Sequence, residues 1–60
     1  MNYASLIEGI AVRYRQPHLD VFEFFLERAS ILEFEAGMMR DEAERIAVDE
    51  TEAFFRSKRL

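Results

Sequence analysis

The chain has 60 residues, a net charge of −4 and no cysteine. A monomer of this length buries only about 60% of its unfolded surface, and disulfides, metals or oligomerisation usually add the missing stability. The absence of cysteine excludes disulfides and thiolate metal sites, and the single histidine, His18, cannot build a metal cluster alone. Oligomerisation is the remaining route, and half of the residues are hydrophobic, which is enough to supply an interface.

The first helix is predicted over about residues 2–16. Asn2 is a reasonable N-cap, and Pro17 ends the helix because the residue before a proline is pushed out of the α region. Gly9 costs about 1 kcal/mol relative to alanine, and it either permits close approach by another helix or is simply tolerated. The apolar stripe consists of Tyr3, Leu6, Ile7, Ile10 and Tyr14.

The second helix has two possible starts, which differ by about one turn. Pro17 can occupy the first helical position. Alternatively, Asp20 is the N-cap, Glu23 closes a capping box, and Leu19 packs on Phe24 as a hydrophobic staple. The sequence leaves both starts open.

This helix is predicted over about residues 19–36, and Gly37 ends it because glycine adopts the left-handed C′ conformation at no steric cost. One broad apolar face consists of Leu19, Val21, Phe22, Phe25, Leu26, Ala29 and Leu32. Phe24, Ile31 and Phe34 fall on the far side, which makes the helix apolar on two sides.

The third helix is predicted over about residues 40–58. Its first turn is acidic and its last turn, with Arg56, Lys58 and Arg59, is basic, an order that complements the helix dipole. The inner face is predicted to consist of Ala43, Ile46, Ala47, Ala53 and Phe54, with Val48 and Phe55 on the other side.

Short connections favour consecutive helices that are near-antiparallel or sharply angled neighbours. The sequence therefore predicts a single all-α domain over residues 1–60, either a small three-helix bundle or a two-helix hairpin with a leading arm. No signal peptide or long apolar run is evident, so we expect a cytoplasmic protein without a membrane span.

Charge is distributed unevenly along the chain. Between Asp20 and Glu52 there are eleven acids against three arginines, whereas both ends are basic. The simplest interpretation is solvated helix faces. Such an acidic middle also suits a basic partner and repels a phosphate backbone, so we do not expect nucleic acid as a partner.

Catalysis is not predicted, and neither is a cofactor. His18 could act as a general base, but it lies in a predicted connection with no serine or cysteine nucleophile in evidence. A di-metal site in a bundle requires Glu-x-x-His motifs, and the sequence has none. We therefore expect no enzyme, no catalytic residues and no bound metal.

A helix-turn-helix is the alternative reading of the second half of the chain. Gly37 would occupy the turn and the third helix would enter the major groove. Asp41, Glu42 and Glu44 then face the phosphates or base edges, which argues against this arrangement. A DNA-associated regulator, or an accessory piece of a replication protein, remains the alternative function.

The far-side apolar residues are the candidate site. If exposed, they exceed the apolar surface of an ordinary monomer. Either the bundle is irregular and they belong to the core, or they form a homodimer seam or a docking face for another protein. The set consists of Phe24, Ile31, Phe34, Val48 and Phe55.

The segment 27–47, ERASILEFEAGMMRDEAERIA, resembles a helix–Gly–helix pattern, ERAxIxEFEAGMxRxEAERxA. This pattern is associated with short phage and mobile-element proteins of proteobacteria and with the tails of some phage or plasmid replication and primase proteins. Ser30 and Met39 depart from its commonest forms. The matching residues are Glu27, Arg28, Ala29, Ile31, Glu33, Phe34, Glu35, Ala36, Gly37, Met38, Arg40, Glu42, Ala43, Glu44, Arg45 and Ala47.

The resemblance covers about a third of the chain and implies origin more than activity, since the pattern is structural and carries no catalytic residue. A phage origin favours a small protein that binds a host or viral protein. The sequence therefore predicts an acidic helical interaction module that acts as a regulator or inhibitor, and we expect a homodimer, another protein as partner, or both.

Overall fold

The computed structural model describes residues 3–58, which form three helices: α1 (Ala4–Arg13), α2 (His18–Phe34) and α3 (Arg40–Lys58). The prediction of a small all-α three-helix bundle is confirmed. The bounds of α3 agree with the prediction, whereas α1 and α2 end earlier than predicted. The predicted N-cap Asn2 and the basic residue Arg59 lie outside the described residues.

The end of α1 is fixed by a left-handed residue. Arg15 has φ +54°, its N–H donates to the carbonyl of Val12 at 3.3 Å, and the N–H of Gln16 donates to the carbonyl of Ala11 at 2.9 Å. These two bonds are the paired closing bonds of a Schellman motif, with Arg15 where glycine is usual. The motif therefore ends α1 at Arg13, before the chain reaches Pro17, which was predicted to end it.

The start of α2 differs in detail from both predicted alternatives. Pro17 is the extended N-cap with ψ 136°, and His18 is the first helical residue. Asp20 lies within the first turn, so it is not the N-cap, although a carboxylate there still interacts favourably with the helix dipole. Leu19 is exposed and Phe24 packs on α3, so the predicted staple is wrong.

In the turn between α2 and α3, Gly37 has the predicted left-handed conformation, φ +72°, but it lies one residue beyond C′ because α2 ends at Phe34 with Glu35 as its C-cap. The N–H of Met38 donates to the carbonyl of Leu32 at 3.1 Å and closes the turn. A Cβ at Gly37 would meet nothing within 4 Å, so the backbone conformation and not space selects glycine there. A Cβ at Gly9 would also meet nothing within 4 Å, so no helix approaches Gly9 closely and this glycine is merely tolerated.

Helices α2 and α3 pair antiparallel along their lengths. Contacts between Phe24 and Phe54 lie near one end, and Arg40 lies 3.7 Å from the Glu33 carboxylate at the other. Helix α1 packs on this hairpin more through α2 than through α3. The main core cluster consists of Ile7, Ile10, Ala11, Tyr14, Val21, Phe25, Ala29, Ala47 and Phe55.

The inner face of α3 recurs at every fourth residue: Ala43, Ala47, Thr51 and Phe55 are all buried. The first two positions are alanines, and both are fully buried. The hydroxyl of Thr51, fully buried, donates to the carbonyl of Ala47 at 2.6 Å. The predicted inner-face residues Ala53 and Phe54 are exposed instead, because the inner stripe passes through the polar Thr51.

Polar contacts join the end of α1 to α3. The hydroxyl of Tyr14 donates to Glu52 Oε2 at 3.1 Å, and Arg13 donates to the same oxygen. Arg56 Nε lies 3.5 Å from the Tyr14 hydroxyl oxygen, a hydrogen bond that raises the pKa of Arg56. These contacts join the C-terminal end of α1 to the C-terminal half of α3.

Candidate interaction surface

The five predicted partner-binding residues are not one exposed face. Phe55 is only 2% exposed and belongs to the core, so its predicted place on an outer side is wrong. Phe24 and Val48 are half-buried against that core. Ile31 is half-buried, and Phe34 is the one member of this set that is mostly exposed, at 75%.

The aromatic residues of this region pack on each other. The ring centroids of Phe24 and Phe55 are 5.7 Å apart in an edge-to-face arrangement. Those of Phe54 and Phe55 are 5.0 Å apart in the same arrangement. Lys58 Nζ lies 5.8 Å from the centre of the Phe55 ring. The surplus aromatic residues of α2 and α3 therefore largely cover one another within the monomer, as the core alternative anticipated.

A different apolar set is exposed on α2. Leu19 and Leu26, which the sequence places on the buried face, are 67% and 55% exposed. Together with Phe34 they belong to a strip of exposed residues that occupies about 120° of the helix circumference at 100° per residue. This strip, called the outward face of α2, consists of Leu19, Asp20, Glu23, Leu26, Glu27, Ser30 and Phe34.

Sequence reasoning missed this face because it treated the broad apolar stripe as uniformly buried. Leu19 and Leu26 lie at the edge of that stripe. Around the helix axis they are about 120° or more from the midpoint between Val21 and Phe25. The start of α1 reaches the level of Phe25, since the Tyr3 and Phe25 ring centroids are 6.2 Å apart, yet Leu19 and Leu26 stay exposed. No signal in the spacing separates these two leucines from the buried residues of the stripe.

The outward face of α2 is negatively charged and has no lysine or arginine. Within residues 3–58, its carboxylates Asp20, Glu23 and Glu27 take part in no ion pair. The nearest basic residue in sequence, Arg28, turns away from this face and binds Glu50 of α3 at 2.8 Å. The charged residues beside the exposed leucines and phenylalanine on this face are therefore all carboxylates.

The part of the chain that the structure describes encloses no pocket. It also has no group of three or more His, Cys, Asp or Glu side chains that could hold a metal ion. His18 is exposed at the start of α2. What these residues offer a ligand is the solvent-facing side of a helix.

The arrangement of α2 and α3 differs from a DNA-binding helix-turn-helix. In that motif the two helices cross at about 90–120°, whereas here they remain in contact from Phe24 and Phe54 to Glu33 and Arg40. Asp41 and Glu42 are exposed in the first turn of α3. That turn therefore presents negative charge where a recognition helix contacts bases.

No family model, curated protein or solved structure matches the chain. Among residues 3–58, no helix combines the length and the apolar character needed to cross a lipid bilayer.

Proposed function

We propose that this chain is a small acidic helical module that acts by binding another protein, and that the partner contacts the outward face of α2. The observation that carries the proposal is the exposure of Leu19, Leu26 and Phe34 on one side of one helix. Single exposed apolar residues are ordinary, whereas several on one face are typical of an interaction site.

The resemblance of residues 27–47 to phage and mobile-element proteins supports a role in binding a host or viral protein. On that basis we propose a regulator or inhibitor that acts in the cytoplasm. This part of the proposal depends on the sequence pattern, and the surface on α2 is argued independently of it.

Homodimerisation is the second form of the proposal. Sedimentation velocity across the micromolar range separates the two forms, because a dimer through α2 would increase in population with concentration and be abolished by Leu26→Glu. The control is Val12→Glu, since Val12 is 71% exposed on α1 and lies outside the α2 surface.

The main experiment is affinity capture from a proteobacterial lysate, followed by reconstitution from purified components. After chemical crosslinking in the lysate, we expect one protein to be enriched by the wild type and by Val12→Glu, and to be lost with Leu26→Glu and with Phe34→Glu. Capture that does not depend on Leu26 or Phe34 would contradict the proposed surface. All variants must first show the helical content and thermal midpoint of the wild type within a few degrees.

The alternative function is DNA association. A salt-dependent shift of duplex DNA by the purified chain would support it, because phosphate contacts weaken with added salt. We expect no shift even at low salt, since the first turn of α3 presents Asp41 and Glu42.

A further inference from the structure

We propose that the outward face of α2 binds a basic amphipathic helix of the partner protein. This inference rests on the proposed function and names the class of partner that the face is suited to bind.

The apolar residues of the face have helical spacing. Leu19 and Leu26 are seven residues apart, and Phe34 follows eight residues later, so each is displaced by about two turns from the last. The face extends for about 22 Å along the helix axis at 1.5 Å per residue. A second helix of about four turns would match this length and place its own apolar residues between these three side chains.

Charge on the face selects a basic partner. Around the helix, Glu23 lies between the two leucines and Phe34, and Glu27 and Asp20 lie just beyond Phe34. No lysine or arginine lies on the face. These carboxylates have no ion-pair partner within the described residues. Lysines or arginines of a bound helix would therefore form ion pairs with carboxylates that are otherwise unpaired. Complementary charges of this kind increase the association rate and exclude acidic competitors.

The same charges disfavour a second copy of this chain as the occupant. Two outward faces packed together would bring six carboxylates into one interface with no cation from either face. Like charges placed opposite each other oppose association. A partner with basic residues beside its apolar stripe avoids this repulsion, and we therefore assign the face to such a helix.

The size of the face sets the expected strength of binding. A stable interface takes about 800 Å² from each partner, and one side of a helix about 22 Å long provides less. We therefore expect a transient complex with a dissociation constant in the micromolar range, and binding that weakens as salt screens the carboxylates.

The test uses three synthetic, fluorescently labelled peptides of about 18 residues, long enough for four to five helical turns. Two share one helical pattern of leucines, with either lysine or glutamate at the flanking positions, and the third is a scrambled lysine peptide that is not amphipathic. Fluorescence anisotropy with the full chain measures binding. We expect the amphipathic lysine peptide to bind at least about tenfold more tightly than either of the others.

Matched variants locate the binding site. We expect Leu26→Ser combined with Phe34→Ser to weaken the lysine peptide by about tenfold or more. Glu23→Gln combined with Glu27→Gln should weaken it by about five- to tenfold and reduce its salt dependence. Val12→Ser and Glu8→Gln make the same kinds of change at exposed positions of α1, and binding should remain within about twofold of the wild type.

The inference is overturned if the scrambled peptide or the glutamate peptide binds as tightly as the amphipathic lysine peptide. It is also overturned if the α2 variants leave binding unchanged, or if the chain self-associates through Leu26 and so binds a second copy. If the lysine peptide fails to bind while capture of a cellular partner still depends on Leu26 and Phe34, the inference is wrong and the proposed function stands. If neither peptide binding nor capture depends on the α2 face, both are wrong.

Discussion

The ring of Phe24 is stacked on the ring of Phe54, with centroids 4.4 Å apart and planes inclined by 19°. This contact joins a residue predicted to lie outside the main stripe of α2 to a half-exposed residue of α3. Behind the stack, Phe55 is covered on two sides and belongs to the core. The stack explains how a small chain accommodates most of its surplus aromatic residues.

Phe55→Ala is expected to lower the free energy of unfolding by about 3–5 kcal/mol, the usual cost of truncating a buried phenylalanine. This is comparable to the whole stability of a domain of this size, so circular dichroism should show an unfolded or nearly unfolded chain. Phe34→Ala, at an exposed position, should change the stability by less than about 0.5 kcal/mol.

The milder variant Phe55→Leu keeps most of the volume and should cost about 1–2 kcal/mol, which chemical denaturation can measure even if the alanine variant does not fold. Equal, small effects of Phe55→Ala and Phe34→Ala would contradict the placement of Phe55 in the core.

The two glycines should respond in opposite directions to the same substitution. Gly9→Ala removes the helix-propensity cost of glycine and meets no neighbour within 4 Å, so it should stabilise the chain by about 1 kcal/mol. Gly37→Ala forces a Cβ into a left-handed conformation, φ +72°, and should destabilise it by about 1–2 kcal/mol. Urea denaturation of both variants measures the difference, and a loss of stability for Gly9→Ala would mean that α1 is packed differently.

Arg15→Gly is expected to stabilise the chain by about 0.5–1 kcal/mol, because a left-handed C′ residue favours glycine despite its greater freedom in the unfolded state. Glu8→Gly is the control, since Glu8 is an exposed position within α1 and should lose about 1 kcal/mol. Thermal denaturation compares them, and loss of stability in both variants would indicate that Arg15 contributes through its side chain.

Substitutions at Thr51 test how much its buried hydroxyl and its methyl group contribute to the free energy of unfolding. Thr51→Ser keeps the donor to Ala47 but removes a fully buried methyl group, and should cost about 1 kcal/mol. Thr51→Val keeps the shape and removes a hydroxyl whose acceptor already lies within a helix, so its effect should remain within about 1 kcal/mol of zero. Chemical denaturation of this pair separates packing from hydrogen bonding, and a larger loss for valine than for serine would reverse that assignment.

The number of helices, their order and the position of the α2–α3 turn follow from the sequence, because helical spacing and Gly37 are local signals. The phase of α3 does not follow from it. With adjacent phenylalanines at 54 and 55, an apolar count selects Phe54 as easily as Phe55, and only the packing against α2 decides. The polar Thr51 occupies a buried position, so the apolar pattern that would otherwise mark the inner side of α3 is interrupted.

The exposure of Leu19 and Leu26 was also not predictable from spacing alone. Both have the apolar character of core residues, and only the packing of α1 and α3 on α2 decides whether they are covered. The left-handed Arg15 that ends α1 is likewise not revealed by periodicity, since glycine is the usual marker. Of the predicted set only Phe34 is mostly exposed, and the exposure of the two leucines emerges from the tertiary arrangement.

The early closure of α1 has a consequence for how order is distributed over the chain. Because α1 is short and adheres to the hairpin less extensively than the hairpin helices adhere to each other, its amide protons should exchange with solvent faster than those of α2 and α3. Detachment of α1 alone would bare Val21 and Phe25 while leaving the pairing of the two longer helices in place. The first helix is therefore the least strongly held of the three, and it packs on the same flank of α2 as the exposed Leu19 and Leu26.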